Sequence, residues 1–188
     1  MSEQEYFTVH HRMTINVEPV GDNFSLPDQD EFESEIPAPF VVASEFSQLD
    51  HLNDNARMEL KSGDFKHVIT LLDNQNAKLN LLLTFMLAQQ DQEQWRHHTV
   101  TFGASQFTYL DSQAATPGML GRVKLFLEHP PAAIYCYARV TECIAEQDNY
   151  RITMQYERLR DADQDLLIKA ALYQQQKLLR QRSMNRNK

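Results

Sequence analysis

Three stretches within about the last ninety residues alternate apolar and polar side chains with a period of two, and nothing else in the chain narrows its fold as much. In Arg122–Leu127, Val123, Leu125 and Leu127 share a face. From Ile134, so do Ile134, Cys136, Ala138 and Val140, with Tyr135, Tyr137, Arg139 and Thr141 opposite. From Tyr150, Tyr150, Ile152, Met154 and Tyr156 alternate with Arg151, Thr153, Gln155 and Glu157. A period of two with one apolar face marks half-buried antiparallel strands. Short and consecutive, such strands close most readily into a small barrel or sandwich.

Other segments carry the same period. Phe7, Val9, His11, Met13, Ile15 and Val17 line one face of a long first strand, stopped by Pro19 and Gly21. In Trp95–Phe102, Val100 and Phe102 are in phase, whereas Phe107 and Tyr109 continue on the other parity. The switch at Gly103–Gln106 predicts a bulge or tight turn. Thr116-Pro117-Gly118 and His129-Pro130-Pro131 read as turns. From Asp161 the period becomes helical through Leu166, Leu167, Ala170, Ala171, Tyr173, Leu178 and Leu179. The basic end, Lys177 to Lys188, suits the negative pole of a helix dipole.

The intervening chain divides in two. Between Arg12 and Arg57 there is no Lys or Arg, while Glu18, Asp22, Asp28, Asp30, Glu31, Glu33 and Glu35 accumulate. With Pro27, Pro37 and Pro39 this predicts a mobile acidic loop with little amide protection, either a solvated connection or a docking strip for a basic partner. Ser44, followed by Glu45 and Gln48, reads as the cap of a helix that Gly63 punctuates. A longer helix is predicted over 64–90, where Val68, Leu72, Leu79, Leu82 and Met86 follow a 3-4 spacing interrupted by Gln75. Ile69, Asn76 and Leu83 form a flanking stripe, with Leu71, Leu81, Phe85 and Leu87 beyond. Such a stripe packs on the barrel wall or on a copy of itself, and a buried Gln75 or Asn76 would set register. The apolar circumference exceeds what one wall covers, so we expect a homo-oligomer with Leu72, Leu79, Leu82 and Met86 in its interface.

The whole chain, 188 residues, reads as a single domain. It divides into a first strand (1–20), an acidic loop (21–43), a helical insertion (44–91), barrel strands (92–160), and a C-terminal helix with basic tail (161–188). A net charge of -8 argues against nucleic acid, which needs a basic face. No apolar leader or membrane span is expected, and Cys136 and Cys143 lack metal or redox spacing and read as free thiols. A cytoplasmic location follows. Nucleophile elbow, phosphate-binding glycine loop and zinc-protease motif are all missing, so neither an enzyme nor a cofactor is expected. His10–His11 and His97–His98 are adjacent pairs whose members face opposite ways on a strand, and no metal site is expected from either alone. His51 and His67 read as solvated helix residues. Asp161, Asp163 and Asp165 fall at a helix N-terminus, where acids favour the dipole.

The order Val100–Phe107, Pro117-Gly118 into Arg122–Leu127, Ile134–Val140, Tyr150–Tyr156 and the helix ending Gln175–Arg182 resembles a PilZ domain. The opening Glu5–Val9 resembles the start of that family's first strand; residues from about 40 to 92 lie outside the likeness. The resemblance implies a six-stranded antiparallel β-barrel closed by a C-terminal helix, mainly β with helices. Some members carry extra helices after the first strand and oligomerise through them. It also implies a cyclic di-GMP site made of an RxxxR pair ahead of the first strand and a [D/N]-x-S-x-x-G turn.

This chain departs from both motifs. Met1 to Phe7 holds no arginine but contains Glu3 and Glu5. Thr101 stands at the acid or amide position, Gly103 at the serine and Gln106 at the glycine. Carboxylates repel a phosphate ligand that needs cations, so cyclic di-GMP is not expected to bind. What the resemblance then implies is a non-catalytic adaptor in bacterial signalling, for motility, pili or biofilm, contacting itself and a signalling protein. The alternative is a cyclic di-GMP receptor with replacement cations, from Arg12, Arg96, Arg180 or Arg182.

Overall fold

The computed structural model describes residues 7–21, 23–61 and 64–186. Strands β1 (Thr8–His10) and β2 (Thr14–Pro19) precede helices α1 (Gln29–Glu35), α2 (Ala38–Lys61) and α3 (Lys66–Ala88). After a short 3-10 turn, Glu93–Trp95, come β3 (Arg96–Gly103), β4 (Gln106–Asp111), β5 (Leu120–Glu128), β6 (Pro131–Glu146) and β7 (Asn149–Arg158). Helix α4 (Asp161–Arg186) follows. Met1–Tyr6, with Glu3 and Glu5, lies outside the described residues, as do Gly63, expected to end the first helix, and the last two residues of the tail.

β1 and β2 both pair with β3 and act as one strand bent at residues 11–13. β2 then pairs with β5, β5 with β6, β6 with β7, β7 with β4, and β4 returns to β3, every pairing antiparallel. The result is a closed six-stranded barrel. Alternation sets its interior: Ile15, Val123, Leu125, Ile134, Cys136, Ile152 and Met154 are fully buried. α4 lies against β1 and β3 and buries Leu166, Leu167, Ala170 and Ala171. At its start the buried carboxylate of Asp163 is forked by Arg160 (Nε to Oδ2 2.8 Å, Nη2 to Oδ1 2.9 Å). That pairing fits a structural role for this acid.

The acidic stretch departs from its expected form as a loop. The Asp28 carboxylate accepts from the Glu31 N–H and caps α1. Phe32 is fully buried and stacks on Tyr135 with ring centroids 5.9 Å apart, and Phe24 stacks on Tyr137 at 5.3 Å. The acids flank a few aromatic anchors that dock on the outside of β6. α2 begins at Ala38, not at Ser44. The Pro37 carbonyl accepts from Phe40 N–H, and Pro39 sits in the first turn, where a missing N–H costs nothing. Ser44 is a buried residue within the helix, not its cap. Covered this way, β6 is buried on both faces from Ala132 to Ala138, including the expected outward pair Tyr135 and Tyr137.

Candidate functional site

Three of the residues singled out from the sequence sit together at the β3–β4 turn. Thr101 and Gly103 are on β3, and Gln106 opens β4 opposite Gln155. Thr101 is occupied by structure: its N–H donates to Thr108 Oγ1 at 3.2 Å and the two hydroxyls are 2.8 Å apart. Gly103 is buried, and a Cβ there would collide with the carbonyl oxygen of Phe7. Its glycine therefore admits the incoming first strand.

A cavity of ≈ 240 Å³ beside this turn is bordered by Ser105, Gln155, Tyr156, Glu157 and Gln164, and among the described residues no Lys or Arg lines it. Its charged group is Glu157, which accepts from Arg139 Nε at 2.7 Å on the rim. Burial pushes the Tyr156 phenol well above its ordinary pKa, so it stays a neutral donor. Such a lining offers a phosphate polar contacts but no cation.

The four expected interface residues lie on α3 and face solvent: Leu72 is 44% exposed, Leu79 47%, Leu82 62% and Met86 46%. Val68, Leu71, Leu81 and Phe85 are exposed beside them. The flanking stripe is the one that packs inward. Leu83 and Leu87 are buried, and Ile69, Asn76 and Asn80 are half-buried, where α3 meets α2 and β6. An Arg57–Asp73 ion pair joins the two helices. The line Val68, Leu72, Gln75, Leu79, Leu82, Met86 keeps its 4-3-4-3-4 spacing on the open side, with Gln75 exposed within it.

Of the four arginines weighed as replacement cations, Arg12 and Arg96 meet in one concavity with His10, His97 and His98. Arg180 and Arg182 are exposed on α4. Among the described residues, no group of three or more His, Cys, Asp or Glu is placed to hold a metal ion. None of the described helices is long and apolar enough to cross a membrane. Sequence reading missed the contact holding α1 down, where Glu35 Oε2 accepts from Tyr137 Oη at 2.5 Å and Tyr135 Oη at 3.0 Å. The period-two pattern marked both tyrosines as outward; the aromatic Phe24 and Phe32 within the acidic run were the available signal.

A closed six-stranded antiparallel barrel with helices after its first strand and a long C-terminal helix is the fold of a PilZ domain. Over 94% of its length this chain is similar to a crystal structure of a pathogenic protein from Xanthomonas campestris, at TM-score 0.58 and 13% identity, covering 91% of that chain. That structure is described as a new tetrameric PilZ domain self-assembled via an unusual helical bundle. The Bacillus subtilis inhibitor of motility, MotI/DgrA, is similar at TM-score 0.41 and 17% identity over 44% of this chain and 42% of that one. No family model and no curated protein matches the chain.

Proposed function

We propose that this protein is a non-catalytic PilZ-type adaptor of bacterial signalling that works through protein contacts and assembles with copies of itself along α3. The observation that carries this reading is the apolar line on α3, exposed from Val68 to Met86 while the adjacent stripe satisfies the protein's own core. An exposed apolar surface of this length is costly for a soluble monomer. A second copy fits it best, because a heptad line is self-complementary, with Gln75 as the polar position that fixes register. The tetrameric PilZ domain of the Xanthomonas protein, built by a helical bundle, supports the same use of inserted helices. Control of motility, pili or biofilm is the setting a PilZ domain implies.

The β3–β4 turn supports the second half of the reading. Cyclic di-GMP needs charge-assisted bonds to its phosphates, each worth about 1.5–3 kcal/mol. Among the described residues, the cavity beside Gly103 and Gln106 supplies none from Lys or Arg. Two experiments test the proposal. Sedimentation at tens of micromolar should give a homo-oligomer, and a clean monomer would overturn assembly. Calorimetric titration with cyclic di-GMP should show no micromolar binding, and saturable binding in that range would overturn loss of the nucleotide.

A further inference from the structure

The bend between β1 and β2 is stitched by one side chain. Thr99 Oγ1 accepts from the Met13 N–H at 3.0 Å and donates to the His11 carbonyl at 2.7 Å. The Thr99 N–H donates to the Met13 carbonyl at 2.9 Å, and the His11 N–H to the Val100 carbonyl at 3.2 Å. β3 is bulged here, with Val100 between the Thr99–Tyr109 and Thr101–Thr108 pairs. Kink and bulge together open a concavity of ≈ 670 Å³ whose lining includes Arg12, Arg96, His10, His97 and His98 and, among the described residues, no carboxylate.

In a chain of net charge -8 two arginines in one concavity stand out. Two acids beside it are already engaged, and Glu128 acts on His11, which also lines the concavity. Asp91 Oδ2 accepts from Arg96 Nε at 2.7 Å, and its Oδ1 accepts from Asn16 Nδ2 at 2.7 Å. Asp111 lies 3.7 Å from His97 Nε2. Among the described residues Arg12 has no ion-pair partner. Asp91 engages Arg96 at Nε, and a concave wall focuses the field of the remaining guanidinium edge and of Arg12 on an incoming anion. The His98 imidazole reports that field. Burial lowers its pKa first, then Arg12, Arg96 and His97 lower it further, against Asp91 alone.

We infer that this concavity is a binding site for a small soluble phosphate-bearing anion, a phosphate monoester or pyrophosphate, with Arg12 and Arg96 on its oxygens and His10 and His98 as further donors. Guanidinium forks match phosphate oxygens in both charge and geometry. The site is separate from the β3–β4 turn, roughly 20 Å along β3 from Arg96 to Gly103 at strand spacing. It stands whether or not α3 self-assembles.

The test is imidazole NMR of the full chain titrated with inorganic pyrophosphate, with sodium chloride at matched ionic strength as control. Saturable shifts of His10, His97 and His98 are expected, with a Kd of roughly a millimolar or tighter. Arg12→Gln, at an exposed position, should weaken binding about tenfold or more through the lost charged contact. Arg182→Gln on α4 should leave it unchanged. The His98 pKa should rise when pyrophosphate binds, and that ligand-induced rise should shrink in the Arg12→Gln protein, a response that a merely structural arginine would not give. Shifts no larger than those with chloride, or equal losses in the two variants, would overturn the site. Co-sedimentation with phosphatidic-acid vesicles separates a lipid source: capture there without pyrophosphate binding would overturn a soluble ligand.

Discussion

The carboxylate of Glu35 accepts from two phenols buried between α1 and β6. Removing it leaves both hydroxyls without their acceptor, at a cost of about 1–3 kcal/mol per buried group. Glu35→Ala should therefore lower the unfolding free energy in urea by at least that much, and Tyr137→Phe in the same background should recover part of it. Two histidines give a second prediction at this scale. Burial lowers the pKa of both His11 and His98 below the ordinary 6.5. The unfolded chain then binds more protons than the folded one, so their contribution is fully present above 6.5 and is lost as pH falls from there through the lower folded-state value. The urea midpoint should fall between about pH 7.5 and pH 5.5, and fall less in a His11→Asn/His98→Asn variant. An equal fall in both proteins would refute it. Neither Glu35 nor the histidine pairs announced these roles in the sequence, because each role depends on a partner far away along the chain.

At the scale of elements, the two helical readings diverge for one physical reason. The 64–90 helix was legible from spacing, and α3 occupies Lys66–Ala88. Spacing could not say which of two adjacent stripes meets the barrel, since both are apolar; packing chose Ile69, Leu83 and Leu87. Charged residues at Leu79 and Leu82 should therefore give a stable monomer with unchanged circular dichroism, not an unfolded chain. Unfolding of that variant would show that the stripe is core. The acidic arm misled because composition dominates a window with few apolar residues, whereas three or four well-placed aromatics suffice to dock it. Amides around Phe32–Ile36 and Phe40–Ala43 should exchange at rates close to those of the barrel strands. Rapid exchange there, with protected strands, would return the arm to a loop.

For the fold as a whole, the ring of pairings leaves β1, among the described strands, as the one with a single strand neighbour, and the inserted helices give β6 a second buried face. Local sequence sets the period-two strands, the turns at Gly103–Gln106 and Gly118, the C-terminal helix and the apolar excess of α3, because each depends on neighbours a few residues apart. Long-range packing puts Tyr135 and Tyr137 under α1, leaves the outer stripe of α3 open, and brings Arg12 into one concavity with Arg96. Those contacts join residues remote in the chain, through strand register and the bend at 11–13. Local periodicity holds no information about them.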